Sequence, residues 1–92
     1  MERIMRAYEV KIVGWRGMRQ IMAGYNRNHI KSGSLRSARD AGYEMISYTD
    51  FRVRRAPEYD PAASPHTGLT GPIMLGWSDS DGERWGVLET TR

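Results

Sequence analysis

Arginine is the residue type through which this chain could act. Lys11, Arg52, Arg54 and Arg84 fall at alternating positions of segments whose other side is apolar, so a sheet built from them would gather cations on one face. A planar guanidinium grips phosphate or carboxylate through two parallel hydrogen bonds and stacks on flat groups, which a lysine ammonium does not do. The chemistry on offer is anion recognition rather than bond making. Trp15 falls near the edge of that face. A second basic set comes from Arg36 and Arg39, preceded by Arg27 and Lys31 and interrupted by Asp40 and Glu44. An anion near a helix N-terminus gains about 0.3 to 1 kcal/mol beyond its pairwise charges. Both sets also have a plain alternative: the solvated side of an antiparallel sheet, and a helix face covered by mixed charge.

Other chemistries find little support. Asp79, Asp81 and Glu83 sit in a short Asp-Gly hairpin, not in the long loop of five or six oxygen ligands that calcium requires. His29 and His66 are isolated in polar loops with no second ligand at metal spacing. Asp60, Ser64 and His66 could be pieces of a triad, but a proline-rich loop supplies neither a rigid scaffold nor an oxyanion hole. With Cys 0 there is no thiol catalysis, disulfide or thiolate zinc site. No metal, no cofactor and no enzymatic activity are expected. Trp77 and Trp85 alternate with apolar neighbours and read as core, whereas Trp15, Tyr25 and Tyr59 read as loop aromatics suited to partner contact.

The charge is unevenly distributed along the 92 residues. Counting Lys and Arg against Asp and Glu, residues 1–55 carry 12 − 5 = +7 and residues 56–92 carry 2 − 6 = −4. Such asymmetry, concentrated on Arg, marks a surface that meets an anionic partner, either nucleic acid or an acidic protein patch. A chain of this length makes one domain and buries roughly 60 to 65% of its unfolded surface, too little for a deep cofactor pocket. The opening Met-Glu-Arg-Ile-Met-Arg lacks the apolar stretch of a signal peptide, and no later run approaches a membrane span. A cytoplasmic location with no membrane partner is expected.

These residues need a scaffold, and alternation outlines it. Tyr8, Val10 and Ile12 against Glu9 and Lys11 predict a first strand, and Arg19 to Ala23 a second, joined through Gly-Trp-Arg-Gly. Residues 24–33 are rich in turn formers and read as a loop. Ser34 then offers an N-cap, and Leu35, Ala38, Ala41, Gly42 and Met45 make one apolar stripe of a helix beginning there. Phe51 and Val53 against Arg52 and Arg54 predict a third strand. All four prolines fall in residues 56–72, which read as a long loop. Ile73, Leu75 and Trp77 form a fourth strand, and Trp85 and Val87 a fifth after the Asp79-to-Gly82 turn. The expectation is an α+β fold in the order β-β-α-β-β-β, a compact antiparallel sheet with one helix packed on one face. On that plan Lys11, Arg52, Arg54 and Arg84 line the open face.

Three segments of the chain resemble small phage-encoded anti-CRISPR proteins that inhibit type I surveillance complexes. They are Ala7-Tyr8-Glu9-Val10-Lys11, then Gly33-Ser34-Leu35-Arg36-Ser37-Ala38-Arg39, then Asp81-Gly82-Glu83-Arg84-Trp85-Gly86-Val87. The resemblance implies a β-β-α-β-β-β plan and an inhibitor that docks its basic helix on the backbone subunit (Cas7-type) of the CRISPR surveillance complex, hindering target DNA hybridisation. It also implies non-specific DNA contact and a host bacterial cytoplasm as the place of action. Arg39 matches the family's basic helix position, whereas Asp40 and Glu44 stand where basic residues are expected, and residues 24–33 and 56–72 lack counterparts. A small basic phage nucleic-acid-binding protein or regulator is the alternative expectation. Either would be a monomer or a weak dimer, since an uncovered edge strand can pair with its twin.

Overall fold

The computed structural model describes residues 3–14, 18–79 and 82–84. Five antiparallel strands form one sheet: β1 (Arg6–Ile12), β2 (Arg19–Gly24), β3 (Phe51–Arg55), β4 (Ile73–Asp79) and β5 (Gly82–Arg84), in the spatial order β3-β1-β2-β4-β5. The β1–β2 pairing sets Tyr8 opposite Met22 and Val10 opposite Gln20, and β3 joins the far side of β1 with Val53 opposite Val10. The α+β plan expected from the sequence is therefore present, and β1 lies inside the sheet with β3 and β5 at its two edges. The turn at residues 80–81 and everything from Trp85 onward, including Trp85 and Val87, on which the fifth strand was expected, lie outside the described residues.

The helix differs from expectation at both ends. α1 runs Arg27–Asp40, so most of the supposed loop at 24–33 is helical. Its N-cap is Asn26, whose Oδ1 accepts the His29 amide at 2.8 Å, the bond that satisfies an otherwise orphaned donor of the first turn. Ser34, expected at the cap, is instead buried mid-helix and donates its hydroxyl to the Met22 Sδ. Ile30, Ser34 and Ala38, four apart, form the stripe that meets the sheet. The far end is a Schellman motif: Gly42 takes φ 99°, its amide donates to Arg39 and the Tyr43 amide to Ala38. Gly42 thus stops the helix rather than packing within it, and Met45 lies beyond, almost fully exposed.

α1 covers one side of the sheet over a cluster of Tyr8, Val10, Met22, Ile30, Ile46 and Phe51. The other side is not open throughout, because residues 56–66 are not an unstructured loop. They form two 3₁₀ turns, Pro57–Tyr59 and Ser64–His66, around the single turn α2 (Asp60–Ala63). Each of the three carries a proline at its first or second position, where the missing N–H has no intrahelical partner to lose. This cover closes a second cluster of Met5, Ala7, Ile21, Ala23, Ala56, Ala63 and Leu75, in which the alanines let backbone approach backbone. The sheet therefore has a core on each side, and among the described residues the end bearing Lys11 and Arg52 is left bare on this second side.

Candidate functional site

On that bare end, alternation sets Glu9 and Lys11 of β1 beside Arg54 and Arg52 of β3, and Arg19 of β2 opposite Ser78. Glu9 is the centre of the arrangement. It is only 5% exposed, yet charged, because Arg54 Nε donates to its Oε1 at 2.8 Å and Arg19 Nε donates to its Oε2. Burial pushes the Glu9 carboxyl up, but the Arg19 and Arg54 guanidiniums outweigh it and hold the carboxyl below its ordinary range. Arg19, only partly exposed, is pushed down by burial and raised more strongly by Glu9, so it stays a cation.

Lys11 and Arg52 have no such counter-charge. They are exposed direct partners across the β1–β3 pair, and neither forms an ion pair among the described residues. Like charges placed directly opposite destabilise a sheet. Arg52 Nη1 is steadied by the Thr49 carbonyl at 2.9 Å, and the Arg54 side chain remains 74% exposed despite its bond to Glu9. Glu9, Lys11, Arg52, Val53 and Arg54 line a shallow concavity of about 320 Å³. With one carboxylate clamped between two guanidiniums, the group of Glu9, Lys11, Arg19, Arg52 and Arg54 keeps an excess of positive charge that an incoming anion would meet at Lys11 and Arg52.

Of the residues expected at a basic interface, the structure brings together Lys11, Arg52 and Arg54. Arg36 and Arg39 are exposed on α1, which covers the opposite side of the sheet, so they form a separate set. Arg84 takes the register position opposite Trp77 in β5, at the other edge of the sheet from β3. Trp15 lies outside the described residues.

Two of the three loop aromatics, Tyr25 and Tyr59, are engaged within the fold. Tyr25 donates its hydroxyl to the Leu69 carbonyl at 3.0 Å and accepts the Gly68 amide at 2.9 Å, while its ring stacks on His29. His29, expected to be isolated, accepts the Tyr25 amide at Nδ1, and its Nε2 lies 2.9 Å from the Thr70 carbonyl, which fixes the proton on Nε2. Tyr59 is half-buried against the second core. Asp60 is engaged in the fold: its Oδ1 accepts the Ala7 amide at 2.8 Å and both oxygens accept from Arg55, at 2.8 and 2.6 Å.

Sequence reasoning missed Glu9, Arg19, Arg55 and Asp60. The signal for Glu9 was present, since it shares the face of Lys11 one pleat away in a strand otherwise buried on both sides. Among the described residues no cluster of three or more His, Asp or Glu side chains is placed to hold a metal, and no helix is long and apolar enough to cross a membrane. No protein-family model matches the chain, and no curated protein or solved structure matches it.

Proposed function

We propose that this protein acts by binding, as an inhibitor that lays the Lys11, Arg52 and Arg54 surface against an anionic partner, and that the partner is a type I CRISPR surveillance complex. The observation that carries the binding reading is the exposed Lys11–Arg52 pair, a like-charged cross-strand contact that costs stability and that no carboxylate among the described residues relieves. The anti-CRISPR assignment adds the sequence resemblance to that geometry. Inhibition would follow from occlusion, with the arginines occupying acidic groups or the path of target DNA.

A protein partner with acidic side chains and a bare phosphate backbone would both present anions to this surface. Salt separates the two. Direct phosphate binding makes log affinity for naked DNA fall with log salt, by about 0.7 to 0.9 per neutralised phosphate. The proposal expects weak binding to naked DNA and retention on a purified type I complex, with loss of both retention and plasmid protection in Lys11→Glu/Arg52→Glu. Tight, steeply salt-dependent binding to DNA alone, with no retention on the complex, would favour the nucleic-acid-binding alternative.

A further inference from the structure

The edge of β3 extends the reading of this surface and, resting on that reading, specifies what the partner presents. Asp50 accepts the Val13 amide and Ala56 donates to the Ala7 carbonyl, so the backbone groups of 50 and 56 face β1. By the period of two, those of Arg52 and Arg54 face β1 as well, and those of Phe51, Val53 and Arg55 face outward. The Phe51 amide is taken by the Tyr48 carbonyl. The Val53 N–H and C=O and the Arg55 N–H and C=O have no backbone partner among the described residues. They form a short ladder left unpaired at the sheet edge, flanked on one face by Arg52, Arg54 and Lys11 and with the half-buried Val53 on the other.

We infer that β3 accepts an extended acidic segment of a partner protein as a sixth strand. Its backbone would complete the Val53 and Arg55 ladder, and acidic side chains at alternate positions would fall opposite Arg52 and Arg54. Three observations select this occupant. The outward groups include carbonyl acceptors as well as amide donors; a peptide strand satisfies both, whereas a phosphate backbone offers acceptors only. A second copy of β3 would set arginine against arginine. Edge charge on its own serves to block such self-pairing, but Lys11 lies on the interior strand β1 and still adds uncompensated positive charge beside Arg52. The concavity lined by Glu9, Lys11, Arg52, Val53 and Arg54 lies over the β1–β3 pair, beside this edge strand.

The test uses the full chain labelled with 15N and two synthetic decapeptides of equal charge, one alternating Glu with Val and Thr and one with its Glu residues consecutive. Amide hydrogen exchange is followed at Val53 and Arg55. The alternating peptide is expected to slow both amides at least roughly tenfold, with the clustered isomer leaving them near the free rate. Val53→Pro, which an edge position with an outward N–H tolerates, is expected to remove the effect while circular dichroism stays that of the parent. Should that variant unfold, the parent's exchange rates decide alone. Unprotected amides at millimolar alternating peptide, equal protection by both isomers, or protection by oligothymidylate instead, would each overturn the inference. A Lys11→Glu/Arg52→Glu chain that no longer captures the surveillance complex, beside a parent whose Val53 amide stays unprotected, would sink the added strand and leave the proposed basic surface standing.

Discussion

Asp60 joins three parts of the chain. Its carboxylate holds the Ala7 amide of β1 and the Arg55 guanidinium at the end of β3 while it opens α2. The Arg55 guanidinium holds its carboxyl below the ordinary range, against the opposing effect of burial and with help from the Ala7 amide. Glu9 is likewise depressed, its two guanidiniums outweighing burial. A carboxylate depressed in the folded state contributes stability that is complete above its unfolded value, near pH 4, and is lost as pH falls through the folded value. Stability should therefore drop on acidification below about pH 4, and Asp60→Asn should flatten that limb while costing about 2 to 3 kcal/mol at neutral pH, measured by urea titration at several pH values. An unchanged acid limb in that variant would remove Asp60 from this role. Gly33 gives a second test at this scale. A β-carbon there would overlap the Pro72 ring, so Gly33→Ala should destabilise by about 1 to 3 kcal/mol even though alanine is the better helix former.

The elements show what could be read in advance. β1, β3 and β4 were legible because Tyr8, Val10, Ile12, Phe51, Val53, Leu75 and Trp77 keep a strict period of two. The first half of α1 was not, because Asn26, Asn28 and His29 are turn formers and a buried serine interrupts the apolar stripe. Here the tertiary contacts of Ile30 and Ser34 with the sheet override local preference. The cover on the second side was hidden by its prolines, yet Pro57, Pro61 and Pro65 are four apart and each falls at the first or second position of a helical turn, so the spacing was the signal. The corrected helix start is itself testable: Asn26→Ala should cost about 1 kcal/mol in thermal melts, as loss of a cap does. Ser34→Ala, which would cost as much were Ser34 the cap, should be close to neutral in the same melts. The reverse ranking would restore the start at Ser34.

At the scale of the whole molecule, the two basic sets lie on opposite sides of the sheet. Lys11, Arg52 and Arg54 stand at the bare end of one side, and Arg36 and Arg39 on the helix covering the other. A single flat partner surface reaches only one of them. Because the sheet set places like charges directly opposite one another on a bare face, with no ion pair to either Lys11 or Arg52 among the described residues, capture of a type I surveillance complex should respond to Arg52→Glu and stay near the parent's level in Arg39→Glu. Loss in Arg39→Glu alone would move the interface to the helix, as the family resemblance implies. The candidate site was half legible for the same geometric reason: alternation revealed which cations share a face, but not that Glu9 would be drawn in by Arg19 from a third strand, nor that residues 56–66 would cover the rest of that face.

Lys11→Glu probes the account most directly, because it replaces a like-charged cross-strand pair with an opposite one. Urea denaturation and capture of a purified type I surveillance complex would be measured on the same preparation. The account predicts a chain more stable than the parent by about 0.2 to 1 kcal/mol, together with clearly weaker capture. A variant that is less stable, or that holds the complex as tightly as the parent does, would contradict it.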